Sequence, residues 1–295
     1  MDPDPVTRQG YVIGSPISHS ISPAIHNAAF AATDFDGHYQ AVEVEPGRLA
    51  AWVEAIRTPE LLGFNVTLPH KETVRSYLDA IDGDAQLTGA VNTVVSNPSN
   101  DSARTLLTGT NTDAMGFRRM LEGEADLRLE GQKILLLGAG GAARAVALVA
   151  LQDGAECLWV ANRHEDRARR LLADLSPANR DTTTEALPIL GPRLDELMSS
   201  ADIVVNATSV GLARGEVPTQ SLNLTSQSLV VDLIYNPPET AFMLAARERG
   251  ARVLGGLGML VNQAAAAFER WTTLTAPIST MRAAAEEALR VRASR

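Results

Sequence analysis

The sequence is short of lysine and of cysteine, and it has no long apolar run. Lysine occurs only at Lys71 and Lys133, so 24 of the 26 basic residues are arginine. The single cysteine, Cys157, excludes an internal disulfide and suits a reducing, cytoplasmic setting. No stretch is long and apolar enough to span a bilayer. The opening MDPDPVTRQG lacks the basic and apolar regions of a secretory leader and is expected to be loose up to about Gln9. The net charge is −9, which disfavours nucleic acid or an anionic membrane as a partner through bulk charge. Any anionic ligand has to be held by local groups against that field. Neither His19 nor His70 has metal-ligand spacing with another His or Cys, and no metal is expected.

What is there fits an α/β protein of about two domains: 295 residues, 45% hydrophobic and 21% charged. KILLLG, Lys133 to Gly138, is a short aliphatic run that predicts a buried parallel strand. GAGGAARAVALVALQDG follows as an alanine-rich helix opened by glycines. ECLWVANR then predicts a second strand and EDRARRLLADL a second helix. In that setting Gly138-x-Gly140-x-x-Ala143 fits the dinucleotide fingerprint, in which glycines let the backbone approach a pyrophosphate at a helix N-terminus. ADIVVNATSVG, SLVVDLIYNPPET and ARVLGG continue the strand series, with a helix over Glu239 to Arg249, and predict a doubly wound sheet. Ligands bind outside the carboxyl ends of such strands, where Asn206, Thr208 and Tyr235 fall.

The end of the second strand decides the dinucleotide. An acid there suits the NAD ribose, and arginine suits the NADP 2′-phosphate. Asn162, Arg163 and Arg167 favour NADP(H), whereas Glu165 and Asp166 leave NAD(H) open.

The first half reads as a separate unit. GYVIG is a strand, and the helix over SPAIHNAAFAAT has Ser22 placed as its N-cap and Pro23 as its first residue. GRLAAWVEAIR is a second helix, LLGFNVTLP a strand and KETVRSYL a helix. AVNTVVSNPSNDSARTLLTGTNTDA predicts two strands joined by an Asn/Pro/Ser turn. Helices near Met259 to Trp271 and Pro277 to Val291 are expected to return to this first domain. The expected partition is 1–112 with 256–295, and 113–255.

Within the first half, FNVTLPHKE keeps one of the two lysines. Arginine cannot be deprotonated in a protein, whereas lysine can, so Lys71 points to proton transfer. A solvated remnant in an arginine-biased chain is the alternative for that position taken alone.

The motifs GSPISHSISPAIHN, NVTLPHK, GAVNT, GTNTDAMG, GAGGAARA, NATSVG, DLIYNP and GMLVNQAAAAFERW run in order from Gly14 to Trp271. Together they resemble the shikimate dehydrogenase family. The resemblance implies reversible NADPH-dependent reduction of 3-dehydroshikimate to shikimate, with Lys71 and Asp113 as the catalytic pair. It implies that Ser20 and Ser22 bind the substrate carboxylate and that Thr67, Asn92, Asp113 and Gln263 meet the ring, with Tyr235 at its border. It gives Gly138, Gly140, Gly141 and Ala142 to the phosphate turn and Asn162, Arg163 and Arg167 to the adenine-ribose phosphate. Thr208, Leu233 and Gly256 complete the cofactor set. NADP enzymes of the family commonly carry Thr where this chain has His164, so an NAD-linked quinate/shikimate dehydrogenase stands as the alternative. A non-catalytic binding protein on the same fold is the alternative of another class. His19 is expected to be structural, His70 exposed, and the protein a monomer or homodimer.

Overall fold

The computed structural model describes residues 7–97, 105–213 and 215–294. The chain forms two compact units, Met1–Thr112 with Val261–Arg295, and Asp113–Leu260. The first contains β1 (Arg8–Gly14), α1 (Ser22–Ala32), β2 (Gly37–Glu43), α2 (Leu49–Ala55) and β3 (Leu61–Val66). It continues with β4 (Ala80–Ile81), α3 (Gly83–Thr88), β5 (Thr93–Asn97) and β6 (Leu106–Thr110). The sheet order is β2-β1-β3-β5-β6-β4. β1 runs parallel to β2 and β3, whereas β5 is antiparallel to β3 and β6. All six residues of β3 are buried, as a central strand requires. Phe64 packs with Leu49, Val53, Val94 and Leu107 in one core. Full burial of such a side chain contributes about 2–3 kcal/mol.

Several local expectations change. Arg8 and Gln9 already pair with Gly37 and His38, so the ordered strand begins before the point composition suggested; residues 1–6 lie outside the described set. Ser22 is the first helical residue of α1, not its cap. The cap position is Ile21, and the Ser20 hydroxyl accepts the Ser22 N–H at 3.2 Å. The expected helix after Lys71 is a short 3-10 stretch, Thr73–Tyr77. The β-branched Thr73 and Val74 disfavour a longer α-helix there, and the chain is extended by Leu78. The Asn/Pro/Ser turn falls on residues 98–104, outside the described set.

The second unit begins with α4 (Asp113–Met120) and continues through β7 (Lys133–Leu137), α5 (Gly141–Gln152), β8 (Cys157–Asn162), α6 (Glu165–Asp174) and β9 (Thr183–Pro188). Then come α7 (Pro192–Ser200), β10 (Ile203–Asn206), β11 (Leu229–Asp232), α8 (Ala241–Glu248) and β12 (Arg252–Gly255). The order β12-β11-β10-β7-β8-β9 is doubly wound and all its pairings are parallel. Register places Leu137 beside Ala161 and Asn206, Asn206 beside Asp232, and Asp232 beside Gly255. The loops that follow therefore leave the sheet along one edge.

Two helices close the chain, α9 (Leu257–Thr272) and α10 (Ile278–Ala293). From Val261 onward they belong to the first unit. There Trp271 Nε1–H donates to the Val94 carbonyl at 3.0 Å. α10 packs along α1, and its Arg292 donates to the His19 carbonyl. Among the described residues no helix is long and apolar enough to cross a membrane. Nor does any group of three or more His, Cys, Asp or Glu there form a metal cluster.

Candidate active site

In the first unit the backbone fastens three segments that carry predicted residues. Thr67 N–H donates to the Ile13 carbonyl at 2.9 Å and Ser15 N–H to the Leu68 carbonyl at 3.0 Å. This sets the loop bearing Ser20 and Ser22 beside the one bearing Thr67 and Lys71. The Lys71 carbonyl accepts Val91 N–H at 2.8 Å, and Val66 N–H donates to the Asn92 carbonyl at 2.8 Å. Lys71 and Thr67 are half-buried and Asn92 is buried. The Ser20 hydroxyl accepts the Ser22 N–H, which leaves its own O–H to donate elsewhere.

Asn92 is the hub. Its Oδ1 accepts Thr112 N–H at 2.7 Å, and its Nδ2 donates to Thr112 Oγ1 at 3.1 Å and to Gln263 Oε1 at 3.4 Å. Gln263 thus joins the cluster from α9, 171 residues away in the chain. Asp113, buried and the first residue of α4, follows Thr112 directly.

The two histidines depart from expectation. His70 is buried, at 1% exposure, and its Nε2 lies 2.5 Å from the Val44 carbonyl. A carbonyl only accepts, so Nε2 carries the hydrogen. The tight turn, with His70 N–H on the Thr67 carbonyl, swings the imidazole inward while Leu68 stays 75% exposed. His19 is exposed, and its carbonyl rather than its ring is what the fold uses.

The second unit holds the remaining predicted residues along the edge that the register defines. Gly138, at φ +110°, follows β7, and its N–H donates to the Ala161 carbonyl at 2.8 Å. A Cβ there would sit 3.0 Å from the Ala207 carbonyl oxygen, so a side chain is excluded. Beside Gly140 and Gly141, by contrast, nothing lies within 4 Å of the Cβ position. Together with the α5 N-terminus, that open space fits a pyrophosphate. Asn162 closes β8, with its Nδ2 on the His164 carbonyl at 2.9 Å. Arg163 and Arg167 are exposed and have no side-chain partner among the described residues. Glu165 is ion-paired with Arg169, so its carboxylate is already engaged.

Thr208 is set by Asn206, whose Oδ1 accepts both the Thr208 N–H at 3.1 Å and its hydroxyl at 2.7 Å. Asn206 in turn donates to Asp232 at 3.0 Å. Asp232 also accepts Ile234 N–H at 3.1 Å and the Thr240 hydroxyl at 2.7 Å. Burial pushes the Asp232 carboxyl above its ordinary range, and these hydrogen bonds pull it back. Leu233 and Gly256 meet backbone to backbone, and a Cβ on Gly256 would overlap the Leu233 carbonyl. Tyr235 is half-buried in the same loop. Asn65, Thr93, Thr112 and Asp232 are the residues that sequence reasoning missed. For Asn65, Thr93 and Asp232 a polar side chain inside an otherwise apolar strand was the available signal.

A doubly wound nucleotide-type unit follows, in the chain, an α/β unit whose Lys71 segment is bonded to the one bearing Asn92, the two-unit plan of a dehydrogenase. Residues 12–94 match the model of the shikimate dehydrogenase substrate binding domain, 120–239 that of shikimate / quinate 5-dehydrogenase, and 256–286 that of the shikimate 5'-dehydrogenase C-terminal domain. The chain is 40% identical over 276 residues to the shikimate dehydrogenase (NADP(+)) of Desulforamulus reducens, covering 92% of each. It resembles the crystal structure of shikimate 5-dehydrogenase from Listeria monocytogenes in complex with shikimate and NAD, at 36% identity and TM-score 0.86, over 94% of this chain and 96% of that one. It likewise resembles the enzyme from Thermus thermophilus in complex with NADP(H) and shikimate, at 36% identity and TM-score 0.83, over 96% and 100%. The chain belongs to the shikimate dehydrogenase family.

Proposed function

We propose that this chain catalyses the reversible NADPH-dependent reduction of 3-dehydroshikimate to shikimate. The observation that carries this conclusion is the cluster in which the Lys71 segment is bonded to Val91 while the adjacent Asn92 meets Gln263 and Thr112. Neutral amides and hydroxyls, on a segment bonded to the one that carries a lysine, suit a ketone ringed by hydroxyl groups, because each hydroxyl buried on binding needs a partner.

The reduced nicotinamide supplies hydride to the ketone carbon. Lys71, as ammonium, donates a hydrogen bond and then its proton to the ketone oxygen, so negative charge does not accumulate there. The amine recovers a proton from water. Asp113 is the acid that the family pattern pairs with that amine. Ser20 and Ser22 donate hydroxyls to the substrate carboxylate, and Thr67, Asn92, Gln263 and Tyr235 serve the ring. Gly138, Gly140, Gly141 and Ala142 hold the pyrophosphate, and Thr208, Leu233 and Gly256 complete the cofactor site.

Selection of NADPH rests on Arg163 and Arg167, which have no side-chain partner among the described residues, with Asn162 beside them. Of the two acids that would favour NAD, Glu165 and Asp166, the first is held by Arg169. The reaction draws on a soluble reductant, and we assign the protein to the cytoplasm.

The test is a matrix of initial rates with NADPH and NADH against 3-dehydroshikimate, and with NADP and NAD against shikimate and quinate. Oxidation of NADPH by 3-dehydroshikimate, at least tenfold faster than that of NADH, is expected. A tenfold preference for NADH overturns the cofactor assignment, and no oxidation of either cofactor overturns the activity.

A further inference from the structure

We propose that Thr93 and Tyr39, neither of which is assigned to the substrate, are positioning residues that hold the Asn92 and Gln263 amides in the donor and acceptor orientation the backbone sets. The proposal rests on the assignment of Asn92 and Gln263 to the ring hydroxyls.

An amide has an accepting oxygen and a donating nitrogen of nearly equal size, and a site built on amides must prevent them from turning over. Asn92 and Asn65 each touch a backbone group of fixed polarity, and Gln263 takes its orientation from Asn92. Asn92 Oδ1 faces the Thr112 backbone N–H at 2.7 Å, which only donates. Its Nδ2 is thereby turned to Gln263 Oε1, 3.4 Å away. Thr112 Oγ1 also donates to Gln263 Oε1 at 3.4 Å. Gln263 therefore offers its nitrogen end on the other side of its amide.

The same logic runs inward. Asn65 Nδ2 faces the Asn92 carbonyl at 3.2 Å, which only accepts, so Asn65 Oδ1 takes the Tyr39 hydroxyl at 2.6 Å. The second Asn65 N–H goes to Thr93 Oγ1 at 2.9 Å. Thr93, having accepted there, has its own proton for Asn92 Oδ1 at 3.0 Å or Thr112 Oγ1 at 3.0 Å. Either choice keeps Asn92 Oδ1 as the accepting end.

Tyr39 is 1% exposed, and its ring stacks on His26 with centroids 4.3 Å apart. Burial holds the phenol protonated as a donor, and it keeps the His26 ring uncharged. The polarity seen by the substrate is thus set by the Thr112 N–H and the Asn92 carbonyl, and Thr93 and the buried phenol complete the partners that hold each amide in that orientation. A site built to pair with a hydroxyl discriminates sharply against an analogue lacking it only while that polarity is held.

The experiment compares wild type, Thr93→Val, Thr93→Ser and Tyr39→Phe on shikimate and on its 4-deoxy and 5-deoxy analogues, with thermal unfolding of each variant. Thr93→Val is expected to lower kcat/KM for shikimate about tenfold to 100-fold, mainly through KM, with the KM for NADP unchanged. Thr93→Ser retains the hydroxyl and stays within about threefold. On one of the two deoxy analogues the Thr93→Val loss shrinks to under about threefold, because the hydroxyl it serves is gone. Tyr39→Phe keeps the ring stack and shows the same substrate dependence at about a third of the size or more. An equal loss on all three substrates in both Thr93→Val and Tyr39→Phe, or no loss in either, overturns the inference alone. A wild type inactive on shikimate overturns the assignment beneath it as well.

Discussion

The two units recognise by opposite means. In the first, polar side chains are closed on one another: Tyr39, Asn65, Thr93, Asn92, Thr112 and Gln263 form one continuous set of hydrogen bonds. In the second, the proposed nucleotide site is left open. Nothing fills the space beside Gly140 and Gly141, and Arg163 and Arg167 carry no partner among the described residues. The hydroxyls of a ring are told apart by donors and acceptors held in place, which requires a dense network. A phosphate is held by charge and backbone N–H groups, which require room.

Glycines expose the contrast most strongly. Gly63, on β3, has φ +156°, and a Cβ there would collide with the Trp271 indole nitrogen and the Val94 carbonyl. Gly63→Ala should break the Trp271 to Val94 hydrogen bond and the β3–β5 pairing, lowering stability by about 3–5 kcal/mol in denaturant titration. The double variant Arg163→Ala, Arg167→Ala should raise the KM for NADPH about 30-fold to 100-fold, leaving the KM for NADH within about twofold. An equal rise for both cofactors would mean that the arginines do not read the 2′-phosphate.

His26 supplies a pH-dependent contrast confined to the first unit. Burial lowers its pKa from the ordinary 6.5 to about 3, against a smaller opposing pull from Asn65. The unfolded chain therefore binds a proton that the folded chain refuses between those values. Stability is complete above pH 6.5 and is lost as pH falls toward 3, by about 2 kcal/mol at pH 5. His26→Phe should remove that slope, read as the difference in unfolding free energy between pH 7 and pH 5. The smallest effect belongs to Gly140→Ala: stability within about 1 kcal/mol of wild type, with the KM for NADPH raised about tenfold as a methyl enters the phosphate space. A large loss of stability there would show that the space is structural.

Much of this was legible from the chain alone, and the misses have physical causes. KILLLG and the glycines after it foretold β7 and its turn because a buried parallel strand is written as a continuous aliphatic run. GHYQAVE was not recognised as β2, because an edge strand alternates polar and apolar residues weakly. His70 was expected to be exposed because its burial depends on a contact with Val44, 26 residues away. The Asn92–Gln263 contact spans 171 residues, and no local pattern encodes which end of an amide faces inward. The family motifs include Asn65, Thr93 and Asp232, but no local pattern gives their holding role, which depends on partners in other segments of the chain.

The most direct measurement is Lys71→Met, with shikimate affinity measured by calorimetry and turnover by NADPH oxidation on the same preparation. Affinity within about threefold of wild type, together with turnover reduced by about a thousandfold or more, is the predicted result. Turnover within tenfold of wild type would contradict a single amine as the proton donor.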